Sequence, residues 1–352
     1  MNLFLKIFLL FFFIELASVV NAQNNGEAVF NFSRLPFSAR NTSLGGDIIA
    51  INDNDISLAS INPSLINENI SGHINLNYTK YFAGINIGDV SYSKHFNNIG
   101  SFLANVKYIN YGTFDETDYT GLSIGEFYAS DYMFSIAYAK QLDSMFSLGA
   151  KGNVIYSVID KQKAVGITAD VGVSYYNKAK DLCASILLRN YGRELKSYYD
   201  SQEKDKIKYD FEAGVSKRLK HTPFRFSITY NNMQKFDLWD GLIQDTSEVN
   251  ILTGETIAPK KITTTEKTLR HIVLGTELIF SKNFSIRVGY NHNRRQSMRI
   301  DTKSGILGFS WGFGFKIKKI KIEYSSSKYH FGGNLNTFSI TANISDFVKK
   351  PK

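Results

Sequence analysis

The chain has 352 residues, 43% of them apolar, 14% aromatic and 21% charged, with a formal net charge of +9 and a mean hydropathy of −0.18. That mean excludes a bundle of transmembrane helices but not a membrane β-barrel, whose strands alternate between lipid and a polar lumen. Cys183 is the only cysteine, so no intrachain disulfide forms and stability must come from burial and hydrogen bonding. Lys and Arg are scattered through alternating segments without a basic helix or a long Arg run, which argues for lumenal cations or lipid headgroup contacts and against nucleic acid.

Residues 1–22 read as a secretory signal peptide. One cation, Lys6, precedes an almost wholly apolar run from Ile7 to Leu16, and Val20-Asn21-Ala22 offers a small-residue cleavage site before Gln23. No cysteine follows the site, which argues against a lipoprotein, and no later stretch reaches the roughly 18 apolar residues of a spanning helix.

Residues 23–70 do not alternate and are expected to form an N-terminal plug segment. They hold Leu35-Pro36-Phe37-Ser38-Ala39-Arg40, the pair Gly45-Gly46, the acidic patch Asp53-Asn54-Asp55 and the turn Asn62-Pro63. The acidic patch lacks the downstream glycine and final glutamate of a calcium loop. Helix capping or an ion pair with plug cations such as Arg40 is the expectation for it.

Beyond residue 70 a period of two dominates. In Phe224-Arg225-Phe226-Ser227-Ile228-Thr229-Tyr230 every even position is apolar and every odd one polar, and 165–175, 284–290 and 307–317 repeat the pattern. Fourteen strands are expected, at 73–82, 84–96, 100–111, 131–141, 145–158, 163–176, 182–192, 206–218, 223–232, 268–280, 284–294, 304–317, 320–328 and 334–344. Many reach about ten residues, the length a tilted strand needs to cross a bilayer. Links after even-numbered strands are all brief, whereas the long ones (112–130, 193–205, 233–267 and 295–303) follow odd-numbered strands. Short periplasmic turns and longer extracellular loops are the rule for outer-membrane barrels. The expected fold is therefore an all-β transmembrane barrel over 71–346, with a basic periplasmic tail at 347–352. Closure satisfies every backbone group in lipid, where an open sheet would leave bare edges.

Lys107, Lys151, Asp170, Arg189, Arg225, Glu277 and Arg287 fall opposite the main apolar row of their strands. A charge facing mid-bilayer lipid costs a few kcal/mol, so these should face the lumen, as a network holding the plug or as a selectivity lining. The histidines 73, 95, 221, 271, 292 and 330 show no metal-ligand spacing, and no nucleophile elbow, P-loop or dinucleotide fingerprint appears. No catalytic, cofactor-binding or metal-binding residue is assigned. In the loop 233–267, Phe236, Leu238 and Trp239 form a candidate partner-binding surface; the bland alternative is that Met233 and Phe236 extend strand nine.

The pattern Ser38-Ala39-Arg40, Leu44-Gly45-Gly46, Asp53, Asp55, Leu58-Ala59, Asn62-Pro63 and Leu65 resembles the N-terminal region of FadL-like outer-membrane barrels. It is more closely similar to the PorQ family of the type IX secretion system, with PorV as sister family. Phe30-Asn31-Phe32-Ser33-Arg34-Leu35-Pro36, Tyr111-Gly112-Thr113-Phe114, His221-Thr222-Pro223-Phe224-Arg225, Arg270-His271 and Gly289-Tyr290-Asn291-His292-Asn293-Arg294-Arg295 add to the likeness. It runs from about 26 to 344, and departs at the tail, which ends in Lys349, Lys350 and Lys352 rather than an aromatic residue. The resemblance implies a non-enzymatic member of an attachment complex, anchoring a soluble PorZ-like partner beside PorU- and PorV-like proteins. A FadL-like transporter of hydrophobic small molecules is the competing expectation, and a soluble exported β-protein a third.

Overall fold

A computed structural model describes residues 28–199, 204–238, 248–249, 256–257, 263–298, 305–330 and 333–347. The expected signal peptide, Trp239 and residues 348–352 of the expected tail lie outside them.

Fourteen antiparallel strands close into one barrel. They are β1 (His73–Lys80), β2 (Asn86–Phe96), β3 (Gly100–Thr117), β4 (Ser123–Gln141), β5 (Phe146–Ile159), β6 (Gln162–Asn177) and β7 (Leu182–Lys196). The second half holds β8 (Asp210–Arg218), β9 (Phe224–Tyr230), β10 (Ile272–Ile279), β11 (Phe284–Asn291), β12 (Phe309–Ile317), β13 (Ile320–His330) and β14 (Gly333–Asn343). Each pairs with the next in sequence, and β14 returns to β1 from Asn336↔Lys80 to Asn343↔His73, so no sheet edge is left in the wall.

Period-two alternation sorts the side chains. Outward positions such as Phe134, Ile136, Val154, Ile228, Leu274, Val288, Trp311 and Phe338 are exposed, as a lipid-facing surface requires. Aromatic residues pair across neighbouring strands at both ends of that surface. Tyr108–Tyr132 and Tyr290–Phe309 lie 4.8 Å apart towards the long-loop end. Phe102–Tyr138 at 5.1 Å and Phe284–Phe315 at 4.9 Å lie towards the short-turn end. Inward positions are mostly small or polar, with an apolar group that includes Ile87, Ile109, Met133 and Ile155, and all seven charged residues expected in the lumen are buried there.

Several boundaries differ from expectation: β10 begins at Ile272 rather than 268 and β12 at Phe309 rather than 304, and residues 292–294 open a short helix instead of ending β11. The stretch 112–130 is not a loop, because β3 and β4 continue as a paired hairpin to Thr117↔Ser123. Both faces of that extension meet solvent, so no alternation marked it. Strand β8 begins at Asp210 rather than 206; Lys206–Ile207 instead pairs in parallel with Ala28–Val29.

Candidate functional site

The segment 30–70 is packed against the inward faces of the strands. Ser38 caps α1 (Ala39–Ser43) by accepting from the Asn41 N–H, and Asp55 caps α2 (Ile56–Ala59) by accepting from the Ser57 N–H. Between them Gly45 and Gly46 take φ of +108° and +103°, left-handed backbone that glycine reaches without strain. The turn is locked by Asn41, which donates to the Gly46 carbonyl at 2.6 Å and accepts from the Ile48 N–H at 3.0 Å. Asn62 accepts from the Ser64 N–H, capping a short turn opened by Pro63.

Glycines in the wall make room for this segment. A Cβ on Gly149 would overlap the Pro63 carbonyl, one on Gly172 the Asn62 side chain, and one on Gly289 the backbone of Leu44 and Gly45. Wall serines then bond to the exposed backbone, as Ser339 accepts from the Ala39 N–H at 2.8 Å and Ser310 donates to the Ser43 carbonyl at 3.1 Å.

Arg40 lies at the centre, 3% exposed. Its guanidinium donates to Asp53 at 2.8 and 2.6 Å, to Asp55 at 2.9 Å, and to Glu277 at 3.0 and 2.8 Å. Those are five bonds, the full donor capacity of an arginine. Arg225 also donates to Asp53 and Glu277. Arg287 bridges Glu277 at 2.8 Å and Glu323 at 2.7 Å, and Lys321 bridges Asp55 at 2.7 Å and Glu323 at 3.0 Å. Four cations (Arg40, Arg225, Arg287, Lys321) thus meet four carboxylates (Asp53, Asp55, Glu277, Glu323), so the network is neutral and each buried charge is paired. Buried charges persist only on those terms.

A second network lies under β5 to β8. Arg189 reaches Glu212 at 2.8 Å and Asp47 at 3.3 Å, and Arg34 reaches Asp210 at 2.6 Å. Lys151 pairs with Asp170 at 2.7 Å and donates to the Ser60 carbonyl at 2.9 Å, while Lys107 sits 4.2 Å from the Phe37 ring centre. Two apolar clusters fill the remaining space. One is built on Leu44, Ile49, Ile56, Leu58, Leu65 and Ile70; the other sets Phe30, Phe32 and Phe37 against inward-facing Ile87, Ile109, Met133 and Ile155.

The cavities follow from this packing. One of 490 Å³, lined by Asn52, His95, Ser144, Tyr176 and Arg218 among others, and one of 430 Å³, lined by His73, Lys316, Lys318, Lys319 and Asp346 among others, lie at the short-turn end. Between Phe37, Lys107, Lys151, Asp170 and Arg189 there remains only 20 Å³. All three linings are polar and charged in large part, unlike an apolar ligand pocket.

The continuous strand β7 carries a bulge. In the β6–β7 pairing, Ala169↔Tyr191 is followed by Val171↔Leu188, leaving Arg189 and Asn190 opposite Asp170. Asn190 takes a left-handed φ of 58°, and its N–H donates to Asp170 Oδ1 at 2.8 Å, which closes the bulge from inside.

The expected partner surface separates. Phe236 is 52% exposed, whereas Leu238 is 5% exposed, so its side chain is buried and it is not an exposed anchor. Phe236 does not extend β9, which ends at Tyr230. Instead the His271 ring stacks between Tyr230 and Phe236 at 4.7 and 6.0 Å, and its nitrogens meet the Asn231 and Phe236 carbonyls at 2.7 and 3.0 Å. Sequence reasoning did not single out Lys321 or Glu323, although Ile320-Lys321-Ile322-Glu323-Tyr324 shows the alternation that turns both inward. Among the described residues no cluster of three or more His, Cys, Asp or Glu could hold a metal ion.

No family model and no curated protein matches the chain. Among solved structures it is similar to a toluene transporter, TodX, of P. putida, at 10% identity over 88% of this chain and 99% of that one, with a TM-score of 0.51. A second TodX structure gives 12% identity over 88% and 96%, with a TM-score of 0.48. A Pseudomonas aeruginosa FadL homologue gives 11% identity over 88% and 99%, also at 0.48. The shared feature is the fold, a closed antiparallel β-barrel.

Proposed function

We propose that the protein is a non-enzymatic outer-membrane anchor of a type IX secretion attachment complex, holding a soluble PorZ-like partner at the cell surface. In this reading segment 30–70 is a plug and the long-loop end faces outward. The observation that carries it is the neutral network around Arg40, which ties the segment to β9, β10 and β13, with Arg287 of β11 joining Glu277 to Glu323. A barrel whose lumen is spent on fixing its own N-terminal segment has its outer end left for work. The resemblance of the plug motif and of the residues that follow it to the PorQ family supports the attachment role.

A conduit for hydrophobic small molecules is the second reading. The fold shared with a toluene transporter supports it, and the bulge of β7 at Asn190 is the weak point of that stretch of wall. Against it stand the Asp170 bond that closes the bulge and the charged lining of the cavity behind it. Affinity capture from detergent-solubilised outer membranes tests the two. Recovery of a soluble surface protein at stoichiometric level supports anchoring, and recovery of other barrels alone contradicts it.

A further inference from the structure

The hairpin β3–β4 outgrows the barrel. β2 pairs with β3 only as far as Asn86↔Asn110, and β5 pairs with β4 only as far as Ala129↔Ile159. The Tyr128 carbonyl still accepts from the Asp160 N–H at 2.9 Å, and beyond it 112–117 and 123–127 pair with each other. Six residues at about 3.3 Å each project this arm ~20 Å past the rim. An isolated two-stranded ribbon is marginal in water, so the ordering of this one needs a cause, and three are visible. Its base is bent by a bulge at Gly112 and tied inward by Tyr111, whose hydroxyl donates to Asp131 at 2.6 Å. Midway, Phe114 and Phe127 stack at 5.3 Å. At the tip Asp118 accepts from the Thr120 N–H and hydroxyl at 2.8 and 2.6 Å and from the Leu122 N–H at 3.0 Å.

The arm is thus held in one shape while presenting what soluble proteins normally hide. Both of its edges carry unpaired backbone groups, a template for another strand. Tyr119, Leu122, Ile124 and Tyr128 are exposed along it. Its charge is one-signed: Asp115, Glu116, Asp118 and Glu126 are acidic and no Lys, Arg or His occurs from 112 to 130, in a chain of net charge +9.

We infer that this arm docks a soluble surface protein bearing a basic edge strand, which adds to the open edge of the arm. The inference rests on the outward orientation and anchoring role proposed above. The carboxylates select among occupants, since a second copy of the arm brings four like charges and lipopolysaccharide is itself anionic. Strand addition supplies affinity through backbone hydrogen bonds, and complementary charge supplies rate and specificity.

The test places a photoreactive benzoylphenylalanine at Ile124 or Tyr128 of the full chain in intact cells, with the adduct identified by mass spectrometry. Barrel folding of each variant is verified by heat-modifiable migration. The expected adduct joins the arm to a Lys- or Arg-bearing strand of one exported soluble protein. Its yield should fall about tenfold in Asp115→Lys/Glu116→Lys/Glu126→Lys. Adducts only with lipopolysaccharide or a second copy, no adduct, or a yield unchanged by charge reversal would overturn the inference. If cells lacking the chain lose attached cargo while the arm yields no adduct, anchoring stands and this docking site falls. If those cells keep their cargo, the anchoring reading itself falls.

Discussion

Replacing Arg40 by methionine removes five hydrogen bonds and leaves three cations against four carboxylates in a closed lumen. Breaking a buried ion pair from one side costs about 3–5 kcal/mol, chiefly because the partner charge is left uncompensated. Here each carboxylate keeps a second cation: Asp53 has Arg225, Asp55 has Lys321, and Glu277 has Arg225 and Arg287. The low end therefore applies, about 3 kcal/mol, or roughly a hundredfold rise in the population whose segment has left its seat. Hydrogen exchange of 39–59 in detergent should accelerate by that factor, while exchange in the strand pairs β3–β4 and β5–β6 stays unchanged. In planar bilayers Arg40→Met should raise the frequency of open events above that of the native barrel. Adding Glu277→Gln should recover part of the loss by restoring the charge balance. Unchanged exchange in Arg40→Met, with no added conductance, would refute the claim that this network seats the segment.

Gly149→Val should unseat the segment at its other end, since even a Cβ there overlaps Pro63. We expect about 1–3 kcal/mol, read as faster exchange at 60–66 with an intact barrel by heat-modifiable migration. Val154→Arg, on the outward face, should cost about 2–4 kcal/mol if the face meets mid-bilayer lipid. Lower folding yield into liposomes measures this, and equal yield would mean that β5 does not face lipid. His271→Ala removes the ring that joins the Asn231 and Phe236 carbonyls; limited proteolysis should then cut within 232–238 at least several times faster with the barrel unaffected. The Asp118 carboxylate is held below its usual range by the Thr120 hydroxyl and the N–H groups of Thr120, Leu122 and Gly121. Because the folded value is the lower one, its contribution to closing the arm tip is present at neutral pH. It is lost as pH falls from the usual carboxylate range through the lowered value. Protection at 118–122, taken relative to the intrinsic exchange rate at each pH, should fall along that course, and Asp118→Asn should make that protection independent of pH over the same range.

What the sequence revealed and what it hid have separate physical origins. Strand order and the inward set from Lys107 to Arg287 were legible because lipid on one face and a polar lumen on the other impose a strict period of two. The pairing of Asp53 and Asp55 with a cation of their own segment was legible because a short acidic patch caps helices or pairs with nearby cations, of which Arg34 and Arg40 are two. Their tie to Glu277 was not legible, for nothing local marks a partner 237 positions away. The arm was hidden for a complementary reason, since a ribbon wetted on both faces has no hydrophobic period to read. Leu238 looked like an exposed anchor because loop position alone does not say which way a side chain turns. Gly149, Gly172 and Gly289 were visible as a small face, but which backbone they admit depends on how the segment folds.

The proposed anchoring role is tested most directly by deleting the gene and complementing with the native chain. Cargo attached to the cell surface and uptake of a hydrophobic substrate are then measured in the same cells. The anchoring account predicts that deletion releases attached cargo into the medium, leaves uptake unchanged, and is reversed by the native chain. Retained cargo together with lost uptake would contradict it and establish the conduit in its place.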